Sequence, residues 1–296
     1  MFRRSRVLLA ATATAAACAL ALTGCGSSGG GTGSGGHTSS GASGGSAAAA
    51  LVPAAIKAKG TLVFAMDATY PPDESIAADG HTIVGFDADL ANALVSLLGM
   101  KADLQNVTFD NIIPGLSSGK YDIGLSSFTD TKEREKTVDF VTYFQAGEGF
   151  YVKAGSGKKF DGLDSLCGHS VAVENGTTEQ TDAQTQAKKC SVNVLSFQTQ
   201  NEVNLAVSSG RADVGFADSQ VAEYIVKQSN GQFENTGKAF EVAPYGIALP
   251  KGNGMAKAVQ AALKELISNG TYMKILDKWG IQDGAITNPV INGATS

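Results

Sequence analysis

Histidine is nearly missing from this 296-residue chain, and with it goes much of the usual apparatus of proton transfer and metal binding. Of the three present, His37 lies in a glycine-serine tract, while His81 and His169 fall in loops. No Ser-His-Asp order, HExxH or clustered Cys/His spacing can be read, so neither a triad hydrolase nor a metal site is expected, and no cofactor. Cysteine is scarce, at four residues, and no apolar run after Leu22 is long enough for a membrane helix. Positive charge is in deficit, with 23 Lys and Arg against 28 Asp and Glu. An acidic body argues against nucleic acid, or an anionic membrane face, as partner. What remains, 43% hydrophobic, is ordinary for a globular protein of one large domain or two.

The chain opens with a segment that does not belong to a fold. Arg3, Arg4 and Arg6 precede an apolar run from Val7 to Leu22, which reads as a secretory signal by charge and length. It ends in Leu22-Thr23-Gly24-Cys25, which resembles the lipobox of bacterial lipoproteins. That resemblance implies a signal peptide over 1–24, a diacylglyceryl group on Cys25, and a protein held by lipid at the extracytoplasmic face of the cell membrane. A plain signal peptide, or a membrane helix with a chance cysteine, would be the alternatives. Losing three arginines takes the net charge from −5 to −8. Residues 25–50, built almost wholly from Gly, Ser, Thr and Ala, are expected to form a tether that cannot bury a core, spanning on the order of 25–30 Å. Only Cys167 and Cys190 then remain, and in an exported protein they most economically form one disulfide.

Beyond the tether, strands and helices alternate in the manner of parallel α/β sheets. A strand at Thr61–Met66 ends in Asp67, Thr69, Tyr70, Pro71 and Pro72, a turn that cannot extend a sheet. A polar loop around Asp79 leads to a helix with Asp87 as its expected N-cap and Leu90, Leu94, Leu97 and Leu98 on one face. A strand from Lys101 and a helix carrying Ile112, Ile113 and Leu116 precede the strand Tyr121–Leu125. That strand empties into Ser126, Ser127 and Thr129, with Arg134 close behind. A guanidinium fork pairs both oxygens of a carboxylate and nearby hydroxyls satisfy its other lone pairs, so this suits a small anionic group. A strand end followed by a solvated charged helix would read the same way.

A second α/β region follows, with strands at Phe150–Val152, Val171–Val173, Val192–Leu195 and Ala212–Phe216, the last ending at Asp218. Glu174 to Thr178 form the turn into a helix near Glu179, and another helix spans Glu202–Ser209. A strand Glu241–Leu249 leads back to helices Met255–Ser268 and Tyr272–Trp279, and from Asp283 onward the chain is expected to fray. The two regions echo each other. Ser117-Ser-Gly-Lys-Tyr-Asp-Ile-Gly124 matches Ser208-Ser-Gly-Arg-Ala-Asp-Val-Gly215, and in that register Ser127 falls opposite Asp218. Both halves thus place polar residues at a strand's carboxyl end, where open α/β sheets bind ligands.

Six motifs in order, DATYPP (67–72), GFDADL (85–90), the 109–140 stretch around GLSSFTDTKER, VAVENGTT (171–178), GRADVGFAD (210–218) and YMKILDKWGI (272–281), resemble the family 3 extracellular solute-binding proteins. Those proteins deliver polar amino acids to ABC importers. The resemblance covers 51–284 and implies a two-lobed, type II periplasmic-binding-protein-like fold with two hinge strands and the ligand in the inter-lobe cleft. Lobe 1 would be 51–147 plus 245–296, and lobe 2 148–244. The partners implied are an amino-acid ligand and the importer's membrane subunits, with the protein itself a monomer. Residue by residue, Arg134 would clamp the ligand carboxylate, Ser127 and Thr129 would bind its ammonium and carboxylate, and Thr177 and Thr178 would meet the carboxylate at a helix N-terminus. Asp218 would pair the α-ammonium, Tyr70 and Phe109 would sandwich the side chain, and Asp67 would sit near its tip. Glu174 departs from the family pattern; if it borders the pocket with Asp67, two buried carboxylates need neutralising and the ligand's tip would be cationic, whereas a Glu174 turned outward to solvent would suit glutamine or histidine equally. Core aromatics and a turn cap would explain Tyr70, Phe109 and Asp67 as well. A ligand sensor, or an enzyme resembling cyclohexadienyl dehydratases that uses Asp67 and Glu174, are the rival classes.

Overall fold

The structure, a computed structural model, describes residues 46–296. The signal segment, Cys25 and most of the tether lie outside them. The tether's last residues do not behave as one. Ser46 caps a short helix α1 (Ala47–Ala50) and donates to Glu265 at 2.6 Å, and Ala48 is buried. An alanine run is free to pack where a glycine-serine run is not.

After α2 (Ala54–Lys57) come β1 (Thr61–Met66), the small hairpin strands β2 (Thr69–Tyr70), β3 (Glu74–Ile76) and β4 (Ile83–Val84), then α3 (Phe86–Leu98), β5 (Lys101–Asn106), α4 (Ile112–Ser117) and β6 (Ile123–Gly124). The long β7 (Val138–Lys153) leads to β8 (Ser170–Glu174), α5 (Thr178–Ala187), β9 (Asn193–Phe197), α6 (Gln200–Ser208), β10 (Val214–Asp218) and α7 (Ser219–Gln228). The equally long β11 (Phe233–Pro250) returns to α8 (Met255–Ser268) and α9 (Thr271–Trp279). One mixed sheet runs in the order β5-β1-β6-β11-β7-β10-β8-β9.

The fold is mixed α/β in two lobes. In one, β1 pairs in parallel with β5 and β6; in the other, β8 pairs in parallel with β9 and β10. Between them β7 and β11 lie antiparallel from Val138 opposite Pro250 to Lys153 opposite Phe233, with irregularities between Thr236 and Phe240, Phe240 and Ala243, and Tyr245 and Gly246. At about 3.3 Å per residue, β7's 16 residues cover roughly 50 Å, enough to traverse both lobes. Sequence patterning finds only fragments of these strands. Buried on both faces for most of its length, β7 shows no alternation to detect. Leu90, Leu94 and Leu98 of α3 pack with Val259, Leu263 and Leu276 in one core; Val171, Val173, Val214 and Phe216 form another with Phe150 and Phe160.

Two further expectations are corrected. Asp87 does not cap α3; it is fully buried inside the first turn, where its Oδ2 accepts from the Ser127 amide at 3.0 Å and the Tyr143 hydroxyl at 2.9 Å. The residue before the helix is Gly85, at φ 143°, where a Cβ would lie 2.0 Å from the Asp73 carbonyl oxygen. The segment after Asp283 is not frayed. Residue 290 exchanges bonds with Thr142, and Asn292 with Phe140, so the tail runs along the outer edge of β7. Cys167 and Cys190 are joined, with Cα atoms 5.6 Å apart, linking the segment before β8 to the end of α5.

The sequence echo extends to side chains. Each repeat has a helix ending in two serines and a left-handed glycine, Gly119 or Gly210. Asp122 then accepts from the Val63 amide at 3.0 Å, as Asp213 accepts from the Ser170 amide at 2.8 Å, and each acid holds a lysine, Lys59 or Lys158.

Candidate functional site

β6 and β10 end facing one another across the lobes, and their polar ends form a cavity. It measures about 10 Å³, roughly the space of one water, and is lined by Tyr70, Phe109, Ser127, Thr129, Arg134, Thr177, Thr178, Glu179 and Asp218. Eight of the ten residues singled out above are therefore brought together; Asp67 and Glu174 do not line the cavity, though both carboxyls lie close to Tyr70. A neighbouring cavity of about 460 Å³ shares Thr129, Arg134, Thr177, Thr178 and Asp218 and adds Glu148, Asp182 and Glu241 on its far side.

Each wall has a local reason for its shape. Ser127 adopts φ 52°, unusual for a residue with a side chain, and is held there by its amide bond to Asp87 and its hydroxyl bond to Asp73 Oδ2 at 2.8 Å. Thr177 is the N-cap of α5, its Oγ1 accepting from the Gln180 amide at 3.1 Å and donating to the Glu174 carbonyl at 2.8 Å. That aims the positive end of α5's dipole at the cavity. Arg134 spans the cleft, donating from Nη1 to the Thr129 carbonyl and from Nη2 to the Gly176 carbonyl, both at 2.8 Å. Its guanidinium lies 5.4 Å from the ring centres of both Phe109 and Phe128. Thr129 and Thr178 hydroxyls meet at 3.4 Å, Gln200 N donates to Thr69 Oγ1 at 3.2 Å, and Gln220 donates to Asp73 at 2.8 Å. These bonds close the lobes on each other.

The rings differ from expectation. Tyr70 and Phe109 meet edge to face, centroids 5.9 Å apart at 85°, so they do not form a parallel slot. Phe109 instead stacks on Phe128 at 4.3 Å and 27°. The cleft side of Phe128 is filled from within its own lobe.

The site is strongly acidic. Asp67 is buried with both oxygens engaged, by Thr69 Oγ1 at 2.7 Å and the Phe109 amide at 3.0 Å. Glu174 is 1% exposed, and its close polar neighbours are the Tyr70 hydroxyl and the Asp67 carboxyl, neither of which reaches it with ordinary hydrogen-bond geometry. Burial, then the Asp67 charge, pushes the Glu174 carboxyl up to about 10. Burial and the Glu179 charge raise Asp218 well above the usual carboxylate range. Behind the Ser126–Ser127 turn, Asp73, Glu74 and Asp87 are all fully buried; burial lifts Asp73 to about 6, and burial with the Asp73 charge lifts Asp87 to about 8. Among the described residues no group of His, Cys, Asp or Glu could hold a metal ion, and no helix is long and apolar enough to cross a membrane.

Sequence reading missed Glu179, Phe128, Asp73, Gln220 and Tyr245. Glu179, 3% exposed, follows Thr178 directly, but an acid in a first helical turn ordinarily signals only dipole complementation. Gln220, which also donates to Tyr245 at 2.6 Å, has no signal beyond standing two residues after Asp218.

The bacterial extracellular solute-binding proteins, family 3, match residues 62–282 of this chain. The arginine-binding protein ArgT of Corynebacterium glutamicum is 33% identical over 250 residues, 82% of each chain. The glutamine-binding protein GlnH of the Bacillus subtilis ABC transporter is 36% identical over 209 residues, 69% of this chain and 75% of its own. Among solved structures, an ancestral arginine-binding protein bound to arginine superposes with a TM-score of 0.71 at 39% identity, covering 74% of this chain and 98% of that one.

Proposed function

This chain belongs to the family 3 bacterial extracellular solute-binding proteins, and from that premise we propose that it captures a cationic L-amino acid, arginine foremost, and delivers it to an ABC importer. The observation that carries the cationic preference is Glu174, a carboxyl buried beside Asp67 with no basic side chain among the groups that act on it. A guanidinium offers five donors in a planar fork and the positive charge that these acids lack. The relatives ArgT and the arginine-bound ancestral protein support the same ligand.

In this reading Arg134 pairs the α-carboxylate, with Thr129 and the N-terminus of α5 at Thr177 and Thr178 completing its shell. Asp218 and Ser127 take the α-ammonium. The aliphatic stem lies against Phe109, and Tyr70 steps aside so that the tip reaches Glu174 and Asp67. Arginine does not fit a space of about 10 Å³. Binding must therefore part lobe 1 (51–147 and 245–296) from lobe 2 (148–244) along β7 and β11 and re-form the bridging bonds around the ligand. Lipid on Cys25 would keep the protein at the extracytoplasmic face, beside the importer. No catalytic step is proposed: no histidine lines the cavity, and the relatives are binding proteins.

Calorimetric titration with the natural amino acids tests this. Arginine, then lysine or ornithine, should bind tightest; tightest binding of glutamate, aspartate or a branched aliphatic amino acid would overturn it.

A further inference from the structure

The tail at 289–296 makes a set of bonds that nothing in ligand capture by itself requires. It is anchored on two elements of lobe 1. Gln260 of α8 donates to the Pro289 carbonyl at 2.9 Å, Val290 N donates to Thr142 Oγ1 and Thr142 N to the Val290 carbonyl, both at 2.8 Å, and Asn292 and Phe140 exchange bonds at 2.8 and 3.0 Å. Past that anchor it turns onto the segment carrying Arg134. Gly293 N donates to Asp130 Oδ2 at 2.8 Å, Ala294 N donates to Glu135 Oε1 at 3.1 Å, and the Ser296 carbonyl accepts from the Lys132 amide at 2.9 Å. These three bonds bracket the turn at Arg134 on both sides. Thr295 and Ser296 also line the 460 Å³ cavity together with Thr131, Glu133 and Arg134.

The turn needs such support. Its other main-chain anchors are two: Asp130 N donates to the Pro244 carbonyl of β11 at 2.8 Å beside the Thr129–Tyr245 bridge, and Lys251 Nζ donates to the Glu135 carbonyl at 2.6 Å. The turn itself is a single 3₁₀ turn, Arg134–Lys136, with no buried residue. A short, half-exposed turn of this kind samples several arrangements unless tied at both ends. A bidentate guanidinium–carboxylate pair tolerates little displacement.

We propose that residues 289–296 are a strap that fixes the Arg134 turn in the position needed to grip a ligand carboxylate, with Asp130 and Glu135 as the positioning residues that receive it. This rests on the reading of Arg134 as the carboxylate clamp. Loss of the strap costs affinity for ligands with an α-carboxylate and spares the rest of the site.

The test compares wild type with a chain lacking 293–296, which removes the three contacts to the turn but leaves the pairing with β7. Calorimetry is run with L-arginine and with agmatine, which is arginine without its carboxylate. L-Arginine should weaken about tenfold, the scale of one charge-assisted hydrogen bond, while agmatine stays within about twofold. Glu135→Ala should reproduce part of the loss and Glu135→Gln, which keeps the acceptor, should restore it. Equal weakening of both ligands, or of neither, overturns the strap. Amide exchange at 130–136 in the ligand-free proteins decides it independently. Faster exchange in the shortened chain supports the strap even if wild type binds no arginine, and unchanged exchange overturns it.

Discussion

Exchanging arginine for citrulline keeps the ligand's length and planar tip but removes its charge, and the response should depend on pH in a way set by Glu174. Burial and the Asp67 charge push that carboxyl from 4.5 to about 10 when the lobes are closed. In the proposed open form Asp67 and Tyr70 of the other lobe move away from it and water reaches it, which would return it to near its ordinary value. Closing around a neutral ligand therefore takes up a proton anywhere between those two values. The sign follows from linkage: the closed state binds more protons, so its stability falls as pH rises, by at most tenfold per unit. At pH 7 the carboxyl is 2.5 units above 4.5, a penalty of about 3 kcal/mol as a ceiling. A guanidinium beside the carboxylate supplies the charge and removes the uptake. The ratio of arginine to citrulline affinity should rise between pH 6 and 8, by up to about 100-fold. Calorimetry in buffers of different ionisation enthalpy should find close to one proton taken up with citrulline and few or none with arginine. Glu174→Gln should flatten both. A ratio independent of pH would refute the assignment of Glu174 to the ligand's tip.

Other outcomes follow from the same geometry. Arg134→Ala and Asp218→Ala should each weaken amino-acid binding by about 2–5 kcal/mol, since either leaves a desolvated ligand charge unpaired, as measured by titration. Removing the Cys167–Cys190 link, which closes a loop of sequence separation 23, should lower stability by roughly 3 kcal/mol on chain-entropy grounds, and denatured, non-reduced mature protein, with Cys18 removed and Cys25 acylated, should show no free thiol. Cys25→Ala should shift the protein out of the membrane fraction with a mass lacking acyl groups. A shift in the ligand-free melting temperature with pH should also appear: burial raises Asp130 to about 7, so its contribution to stability declines as pH climbs from about 4 to 7 and is level above that.

Much of this was legible because it is local. Ser127, Thr129 and Arg134 follow one strand and Thr177, Thr178 and Asp218 close two others, and strand ends with short polar turns leave sequence signatures. What escaped depends on contacts distant in sequence. Asp73 joins the site because Ser127, 54 residues away, and Gln220, 147 away, both donate to it. Phe128 displaced Tyr70 as the stacking partner of Phe109 through packing that no spacing encodes. The tail read as frayed because it has neither helical nor strand periodicity; its order comes from single bonds to β7 and to the Arg134 turn.

The paired strands β7 and β11 act mechanically as a ribbon. Two antiparallel strands hydrogen-bonded along their length resist shear and in-plane bending, since either breaks a ladder, but flex readily out of plane, above all where the ladder is interrupted. The three interruptions lie between Thr236 and Gly246, about the middle of β11's span from 233 to 250. Stiffness should then be lowest out of plane, over the stretch from Thr236 to Gly246. The opening proposed for the lobes would then follow one soft coordinate. A pair of labels, one on α3 and one on α6, would track the whole opening and closing, and their separation would serve as a scalar readout of occupancy. A membrane receptor touching both lobes at once would be reading that same scalar.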